Sequence, residues 1–465
     1  MKMVEQLADF VMDASYEWMT DKGKETLKLH ALDAIGCAIG ALGSSVYDKL
    51  VSYEMELAEK GTVNLIGGGK SKPDRAALFN SALVRYLDFN DSYFAKGETC
   101  HPSDNLAGVL AAAEYAAISG KDFLTALAVA YQIQCRLSDV APVRNRGFDH
   151  TVQGAYAMAA GIARALRLNR GQIANAIAIS GTAFNALRVT RTGAISNWKG
   201  LAYPSLAFSA MNAAFLAKSG ITGPAEVFEG NKGFMESIAG TFSLDWQHET
   251  LEVINETFLK RYNAEIHSQS AIEGILELKS EHGFAPDQVR CVDVAIFDVA
   301  YNIIGGGEEG EKTSVATKEE ADHSLPYILA AALVDGEVTP KQYTSERIGS
   351  EDVQRLLRKI RINPDKRLTE RFPDEMPCKI RVELEDGRVL EKPKNDYKGF
   401  KTRPMDFDMV VRKFNDLTES FVDDTLRCPI IDMVMNLDQL SVKDLTCQLN
   451  KVNEKSKANH EYQDI

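Results

Sequence analysis

The sequence predicts a mainly α protein with a large all-helical domain and a smaller α+β domain. Two changes in the spacing of apolar residues carry this prediction. Up to about residue 250, apolar residues recur at steps of three and four, as on one face of a helix. Beyond about residue 285, β-branched and alternating apolar residues indicate strands. The helical spacing returns near the end, so we expect the last helices to pack back on the first domain.

The helical region is rich in alanine. Stretches such as "DNLAGVLAAAEYAAI", "FLTALAVAYQIQCRL" and "AYAMAAGIARALRL" place small and aliphatic residues along one helical face after another. Small side chains let helices approach each other closely. These stretches therefore predict a compact bundle whose inner helices are surrounded by protein.

The smaller domain is indicated by two strand-like stretches. "VRCVDVAIF", from Val289 to Phe297, is rich in β-branched residues. In "KIRVELEDGRVLEK", apolar residues alternate up to Leu384, and an Asp386-Gly387 pair follows, which predicts a hairpin. Helical patterns at 324–334 and in "EDVQRLLRKI" lie between them. The mixture favours an α+β domain.

These patterns also set the expected boundaries. The helical domain is placed at residues 1–268, the α+β domain at 269–402, and the C-terminal helices at 403–450. The last stretch, 451–465, reads "KVNEKSKANHEYQDI" and predicts a frayed polar tail.

Composition excludes several classes of protein. With 465 residues, 45% apolar and 26% charged, the chain is typical of globular proteins. A formal charge of -13 argues against nucleic acid as a partner, because that binding needs clustered lysine and arginine. The N-terminus, "MKMVEQLADF", does not resemble a secretion signal. No segment approaches the ~20 apolar residues that a membrane helix needs, so we expect a cytoplasmic protein without membrane contact.

Motifs for cofactors are weak. The seven cysteines are scattered, without the paired spacing of zinc or redox sites, so we expect no metal and no iron-sulfur cluster. "GGGKS" at 67–71 ends like a phosphate-binding loop, but Asn64 stands where its first glycine belongs, which favours a turn. "GGGEEGEK", starting at Gly305, is acidic and predicts a mobile loop.

One stretch, "YLDFNDSYFAKGETCHPSDN" at 86–105, carries many polar side chains beside an apolar helical pattern. On a helix, Asp88 and Ser92 would share a face with Asp91 alongside. Taken locally, Asp91 is typical of a helix cap near the surface.

The end of this stretch predicts a helix start. Ser103 or Asp104 is the expected N-cap of the helix in "LAGVLAAAEYA". His101 would then lie near the positive end of that helix, which favours a neutral imidazole that can act as a base.

Several motifs together resemble the MmgE/PrpD family, which includes 2-methylcitrate dehydratase, cis-aconitate decarboxylase and iminodisuccinate epimerase. The resemblance covers about residues 5 to 445 and rests on separated motifs in the same order. They are "YLDFNDSY...HPSDNLAGVLAAAEY", "GFDHTVQGAYAMAAGIARAL", "ALRVTRTGAISNWKGLA", "FLKRYNAEIHSQSAIE", "VAYN" and "ADHSLPYILAAALVDG".

The resemblance implies a helical domain completed by C-terminal helices, an α+β domain, a homodimer, and an active site in a cleft between the domains. The family's active-site positions fall on Asp88, Ser92, His101, His150, Lys260 and Tyr301. A further family lysine aligns near Ile195. Its charge would come instead from Lys199, Arg188 or Arg191.

For three of these residues a purely structural role is the alternative interpretation. His150 could merely cap the next helix, and Lys260 could belong to a solvated helix end. Tyr301 could be a core tyrosine. His267 and His323 lie in well-matched motifs but are assigned to packing and domain contact rather than to catalysis.

The residue types fit the removal of water from a β-hydroxy acid, which needs a base for the proton and an acid for the departing hydroxide. His101 is the expected base and His150 the acid, with Tyr301 as a rival acid. Asp88 is expected to orient an imidazole.

The cations fit the substrate class. Lys260, with Lys199 or Arg188, would offset the charge that builds on a substrate carboxylate and would favour a tricarboxylate. Ser92 joins Lys199 and Arg188 as an expected substrate-binding residue. No cofactor is expected.

The family branch decides the predicted reaction. "HPSDN", "ALRVTR" and the segment around Trp198 resemble the dehydratases more closely than the decarboxylase, so the resemblance implies a hydro-lyase acting on 2-methylcitrate or citrate. The alternatives are a cis-aconitate decarboxylase and a non-catalytic carboxylate-binding protein.

Overall fold

The computed structural model describes residues 1–57, 60–193 and 195–452, so most of the predicted tail, 453–465, lies outside the described residues. Its α-helices in chain order are α1 (Met3–Asp13), α2 (Asp21–Gly40), α3 (Ser45–Glu56), α4 (Pro73–Tyr86), α5 (Leu106–Tyr115), α6 (Gly120–Val140), α7 (Thr151–Ala165), α8 (Arg170–Ala183), α9 (Trp198–Lys218), α10 (Gln269–His282), α11 (Asp298–Ile304), α12 (Lys318–Ala321), α13 (Leu325–Asp335), α14 (Ser345–Ile348), α15 (Glu351–Leu357), α16 (Lys366–Thr369), α17 (Phe407–Thr418), α18 (Asp424–Met435) and α19 (Val442–Leu449).

The strands are short and few beside the helices. They are β1 (Val63–Asn64), β2 (Lys70–Ser71), β3 (Tyr93–Ala95), β4 (Glu98–Cys100), β5 (Val289–Ile296), β6 (Ile360–Pro364), β7 (Cys378–Leu384) and β8 (Val389–Lys394). The predicted fold class, a mainly helical protein with a smaller α+β region, is thereby confirmed.

The chain divides into two compact units. Among the described residues, unit 1 comprises 1–190, 200–258 and 406–452, and unit 2 comprises 191–199 and 259–405. The domain boundaries that the sequence predicted, at residues 268 and 402, remain predictions.

Unit 1 is the helical bundle, and small residues allow its helices to pack closely. A side-chain carbon on Gly108 of α5 would lie 2.5 Å from the sulfur of Met158 on α7. One on Gly161 of α7 would lie 2.8 Å from Val109. In the same unit α17 packs on α2, where Gly36 leaves room for Phe414. Any larger side chain at these glycines would push the helices apart.

Helix length and composition bear on membrane insertion. Among the described residues, no single helix is both long and apolar enough to cross a membrane, whereas α2 and α3, with an 82° bend between them, meet the length and composition criteria only as a pair.

Unit 2 is built on a four-stranded sheet in the order β6-β5-β7-β8. β5 pairs in parallel with β6 and antiparallel with β7, and β7 and β8 form an antiparallel hairpin. Ile380, Val382 and Leu384 of β7 are buried in alternation, as the sequence pattern predicted. The turn contains Gly387 at φ 87°, a conformation that suits glycine. Helix α10 packs on this hairpin, where Gly274 lies against Ile380.

Candidate active site

The polar stretch that follows α4 is not helical, which corrects the prediction that Asp88 and Ser92 share a helix face. Helix α4 ends at Tyr86, and Asp88 has a left-handed backbone with φ 53°. A non-glycine residue in that conformation breaks the helical path. The main chain of Ser92 instead pairs with Phe258, with N to O distances of 2.9 and 3.0 Å.

Asp88 lies against a buried arginine of unit 1. Arg85 Nη1 donates a hydrogen bond to Asp88 Oδ1, and Arg85 Nε lies 3.6 Å from Asp104 Oδ2. Burial acts to lower the pKa of Arg85, but the charges of these two carboxylates outweigh it and raise the pKa above its usual value. Arg85 is therefore a permanent buried cation beside Asp88. The sequence reasoning missed it, although Arg85 directly precedes the quoted stretch.

Asp91 is the centre of a buried hydrogen-bond network, so its interpretation as a surface helix cap is wrong. Its Oδ1 accepts from Ser103 N at 3.0 Å and Ser103 Oγ at 2.6 Å. Its Oδ2 accepts from Tyr131 Oη at 2.7 Å and lies 2.9 Å from His30 Nδ1. Burial acts to raise the pKa of Asp91, but the hydrogen bond and charge of His30, with the donors of Ser103, lower it. Asp91 is thus held as a carboxylate.

The main chain of the same residue fixes His101. The Nδ1 atom of His101 lies 2.8 Å from the carbonyl oxygen of Asp91, and 3.1 Å from Ser92 Oγ. A carbonyl oxygen only accepts, so Nδ1 carries the proton. The neutral ring then has its lone pair on Nε2, the arrangement that a base requires.

The helix after His101 begins differently from the prediction. A short 3₁₀ turn, Pro102–Asn105, precedes α5, and neither Ser103 nor Asp104 caps it. Ser103 is committed to Asp91, and Asp104 accepts from Asn90 Nδ2 at 2.8 Å. Ser103 and Asp104 therefore belong to the network around Asp91 and His101.

His150 lies beside His101 in unit 1. Their ring centroids are 5.5 Å apart with an interplanar angle of 79°, and both rings are buried, at 3% and 7% exposure. His150 directly precedes α7, but its side chain makes no capping hydrogen bond, so the capping alternative is wrong. Asp149 Oδ1 lies 3.3 Å from His150 Nδ1 and accepts from Thr151 N. This buried carboxylate is therefore a neighbour of the His150 ring, and the "FDH" motif was the only sign of it in the sequence.

Arg188 belongs to the same region. Its Nη1 atom lies 4.0 Å from Asp149 Oδ2, and its main-chain N donates to Gly147 O at 2.9 Å. The guanidinium is mostly buried. Arg191, the other arginine considered, is buried in unit 2.

Unit 2 contains the predicted lysines in a buried charged cluster. Lys199 Nζ lies 3.2 Å from Asp322 Oδ1 and 3.0 Å from His323 Nδ1. Lys318 Nζ donates to Asp322 Oδ2 at 2.7 Å. Burial acts to raise the pKa of Asp322, but the charges of Lys199, Lys318 and His323 lower it well below its usual value.

Lys260 is fully buried and lies outside any helix. The alternative interpretation, that it belongs to a solvated helix end, is therefore wrong. The nearby Glu265 Oε1 lies 2.6 Å from His267 Nδ1. Burial acts to raise the pKa of Glu265, but the charge and hydrogen bond of His267, with the charges of His323 and Lys260, lower it to about 2. His267 and His323, assigned to packing from the sequence, are therefore members of this cluster.

Tyr301 lies on α11 and is only half-buried. Its ring packs against the core of unit 2, which includes Phe297 and Ile304. Part of the side chain stays accessible, so Tyr301 is not a fully enclosed core tyrosine.

Relatives of known name match most of the chain. A mitochondrial 2-methylcitrate dehydratase from Yarrowia lipolytica is 28% identical over 423 residues, covering 85% of this chain and 79% of the relative. A 2-methylcitrate dehydratase from Escherichia coli K12 is 27% identical over 417 residues, covering 84% of each. A cis-aconitate decarboxylase from Mus musculus is 23% identical over 472 residues, covering 94% of this chain and 91% of the relative.

The family assignment follows from two domain matches. The MmgE/PrpD N-terminal domain matches residues 5–247, and the MmgE/PrpD C-terminal domain matches residues 262–439. Together they span most of the sequence, in the family's order. The chain belongs to the MmgE/PrpD family.

Proposed function

We propose that this protein is a hydro-lyase that removes water from 2-methylcitrate, with citrate as the second candidate substrate. The observation that carries the proposal is the pair of buried imidazoles, His101 and His150, with ring centroids 5.5 Å apart. Relatives named 2-methylcitrate dehydratase support the choice of reaction.

The two imidazoles have different surroundings, which suits two different proton transfers. His101 has its proton on Nδ1, held by a main-chain carbonyl, and takes the substrate proton through Nε2. His150 lies beside the Asp149 carboxylate, which stabilises its charged form, and gives a proton to the leaving hydroxide. Tyr301 is the rival acid. Asp88, which is paired with Arg85, is proposed to orient an imidazole and to stabilise its charged form.

The cationic side chains that the family resemblance suggested are proposed to bind the substrate and stabilise its charge. Removing a proton beside a carboxylate builds negative charge, which Lys260 and Lys199 would offset in a buried setting. Arg188 and the Ser92 hydroxyl are proposed as further substrate contacts. All of these steps use side chains of the chain itself, so we propose a reaction without metal or other cofactor.

The test is a set of three assays with protein that has been treated with a chelator. Incubation with 2-methylcitrate, citrate or cis-aconitate is followed by ultraviolet absorbance of the conjugated alkene and by release of carbon dioxide. We expect alkene from one of the two hydroxy acids, no carbon dioxide, and no gain when divalent metals are restored. Activity that appears only with one particular metal would contradict the cofactor-free mechanism.

The runner-up is decarboxylation of cis-aconitate. The mouse relative covers nearly the whole chain, so the fold is compatible with both reactions. Carbon dioxide from cis-aconitate, with no alkene from either hydroxy acid, would replace the first proposal. Inactivity in all three assays, together with tight tricarboxylate binding, would favour a binding protein.

A homodimer and a cytoplasmic location are also proposed. Two-fold dimers are the commonest oligomers and the form that the family resemblance implies. Light scattering of the purified protein would give the mass, and a monomer would contradict the first of these. Fractionation of the source cells would test the second.

A further inference from the structure

The glycine-rich segment 305–312 of unit 2, expected to be a mobile loop, packs closely on Tyr301. Gly305 N and Gly307 N both donate to Tyr301 O, at 3.0 and 3.1 Å. A side-chain carbon at Gly305 would lie 3.0 Å from Tyr301 Cδ2, and one at Gly307 would lie 3.0 Å from Cδ1. The two glycines therefore follow both edges of one ring. Only residues without side chains allow the main chain to approach the tyrosine in this way.

The other end of the segment is anchored near His323. Ser324 Oγ donates to the main-chain oxygen of Lys312 at 2.5 Å, and Ser324 directly follows His323. His323 in turn lies 3.0 Å from Lys199 Nζ. The segment thus runs from Tyr301 to the charged cluster of unit 2, and both of its ends are fixed.

Lys312 is buried in this position, at 8% exposure. Burial lowers the pKa of Lys312, and the charge of Lys199 adds to that effect, against the attraction of Glu309, Glu265 and Asp322. Two ammonium groups in one buried cluster repel each other. A bound carboxylate would relieve that repulsion by accepting charge-assisted hydrogen bonds from the ammonium groups.

The cluster combines charges of both signs. Its lysines are Lys199, Lys260, Lys312 and Lys318, and its carboxylates include Glu265, Glu309 and Asp322. A carboxylate of a ligand would therefore enter a site that already contains several ammonium groups.

We propose that Lys312 is a further substrate-binding residue, which takes one carboxylate of a polycarboxylate substrate and is held in place by the glycine-rich segment that packs on Tyr301. The substrate class rests on the proposed function. Lys312 would set the preference for substrates with several carboxylates, because each further carboxylate needs its own cation.

The test uses tricarballylate, a tricarboxylate without the hydroxyl group that dehydration removes, so that binding is measured without turnover. Calorimetry compares the wild type with Lys312→Met, which keeps the length of the side chain without its charge, and with Lys312→Arg, which keeps the charge. Lys341→Met is the matched control, since Lys341 is an exposed lysine of the same unit. We expect Lys312→Met to weaken binding by about tenfold or more, the scale of a charge-assisted hydrogen bond, with partial recovery in Lys312→Arg.

A structural role predicts a different pattern. If Lys312 served mainly the stability of unit 2, Lys312→Met would melt at lower temperature and bind tricarballylate as the wild type does, and that result would overturn the proposal. Wild-type affinity in Lys312→Met without a change in melting, or no tricarballylate binding by the wild type, would overturn it as well. Tight, Lys312-dependent binding in a protein that dehydrates none of the assayed acids would refute the proposed reaction alone.

Discussion

The polar cluster of unit 1 and the charged cluster of unit 2 differ in how the chain assembles them. Unit 1 takes most of its cluster from one continuous stretch, 85–105, to which His150 is added. Unit 2 gathers Lys199, Glu265, Lys312 and Asp322 from four separate segments. Most members of the first cluster are close together in the sequence, so a local pattern can indicate them. The members of the second cluster are far apart in the sequence, and only the fold brings them together.

The chemistry of the two clusters differs as well. In unit 1 a carboxylate, a main-chain carbonyl and hydroxyl groups fix the positions of protons, as around Asp91 and His101. In unit 2 charges dominate, with lysines and imidazoles around buried carboxylates. The comparison suggests that unit 1 decides proton transfer and unit 2 decides charge recognition, and substitutions in each unit can break that division.

The largest effect is expected from the histidine pair of unit 1. His101→Ala and His150→Ala should each lower turnover by about a hundredfold or more, the usual scale for loss of a general acid or base. Affinity for tricarballylate should change little, because the charge of unit 2 remains. Steady-state assays and calorimetry measure the two quantities separately.

The control for the pair is His248→Ala, since His248 is a largely exposed histidine of the same unit, at 84% side-chain exposure. Its turnover should equal that of the wild type. Near-normal turnover in both His101→Ala and His150→Ala would show that proton transfer lies elsewhere.

In both units the sequence predicts what neighbouring residues determine and misses what distant residues determine. Helix α13, the hairpin of β7 and β8, and the turn at "GGGKS" follow from local patterns, and Gly67, Gly68 and Gly69 indeed have positive φ. The role of Asp91 did not follow, because its partners His30 and Tyr131 lie far away in the sequence. A pattern in one segment carries no information about which distant side chain fills the space beside it.

The same limit applies to two features of unit 2. The acidic, glycine-rich composition of 305–312 predicts a mobile loop, but it does not reveal that Glu309 and Lys312 are buried. His267 was assigned to packing, and the sequence does not reveal that its partner Glu265 is a buried carboxylate, with Oε1 2.6 Å from His267 Nδ1. Burial, which decides the charge of these groups, depends on tertiary contacts that local sequence does not specify.

A smaller effect is expected from the carboxylates of unit 2, measured as stability against pH. The pKa of Glu265 is lowered from an ordinary 4.5 to about 2, although burial alone would raise it, because of His267, His323 and Lys260. A carboxylate with a lowered pKa stabilises the folded state above its unfolded pKa and loses that contribution as the pH falls through its folded pKa. The contribution is about 3 kcal/mol at neutral pH, at about 1.4 kcal/mol for each pKa unit.

Urea denaturation between about pH 6 and about pH 2.5 measures this contribution. The free energy of unfolding of the wild type should fall across that range, and Glu265→Gln should start lower, fall less steeply and lie closer to the wild type at the acid end than at about pH 6. Glu346→Gln, at an exposed carboxylate of α14, should run parallel to the wild type. Parallel curves for Glu265→Gln and the wild type would mean that Glu265 carries no special charge in the cluster.

The smallest effect is expected from Asp91→Asn, which tests whether positioning in unit 1 is separate from catalysis itself. An amide keeps one acceptor for Ser103 but turns the other oxygen into a donor, opposite Tyr131 Oη and His30 Nδ1. We expect the free energy of unfolding to fall by about 2 kcal/mol, the cost of mismatched buried polar groups. Turnover should fall by about tenfold, because the carbonyl that holds His101 belongs to the displaced residue.

The pH profile separates positioning from a general loss of stability. If Asp91 holds His101 in place, Asp91→Asn should shift the pH at which turnover is half-maximal, whereas mere destabilisation would lower turnover equally at every pH where the protein is folded. Asp122→Asn is the matched control. Asp122 is a half-exposed carboxylate of α6, the helix that also contains Tyr131, and it forms a surface ion pair with the exposed Arg167. Its turnover and pH profile should be those of the wild type, since exposed ion pairs contribute little. An unshifted profile in Asp91→Asn would mean that the side chain of Asp91 does not control the position of His101.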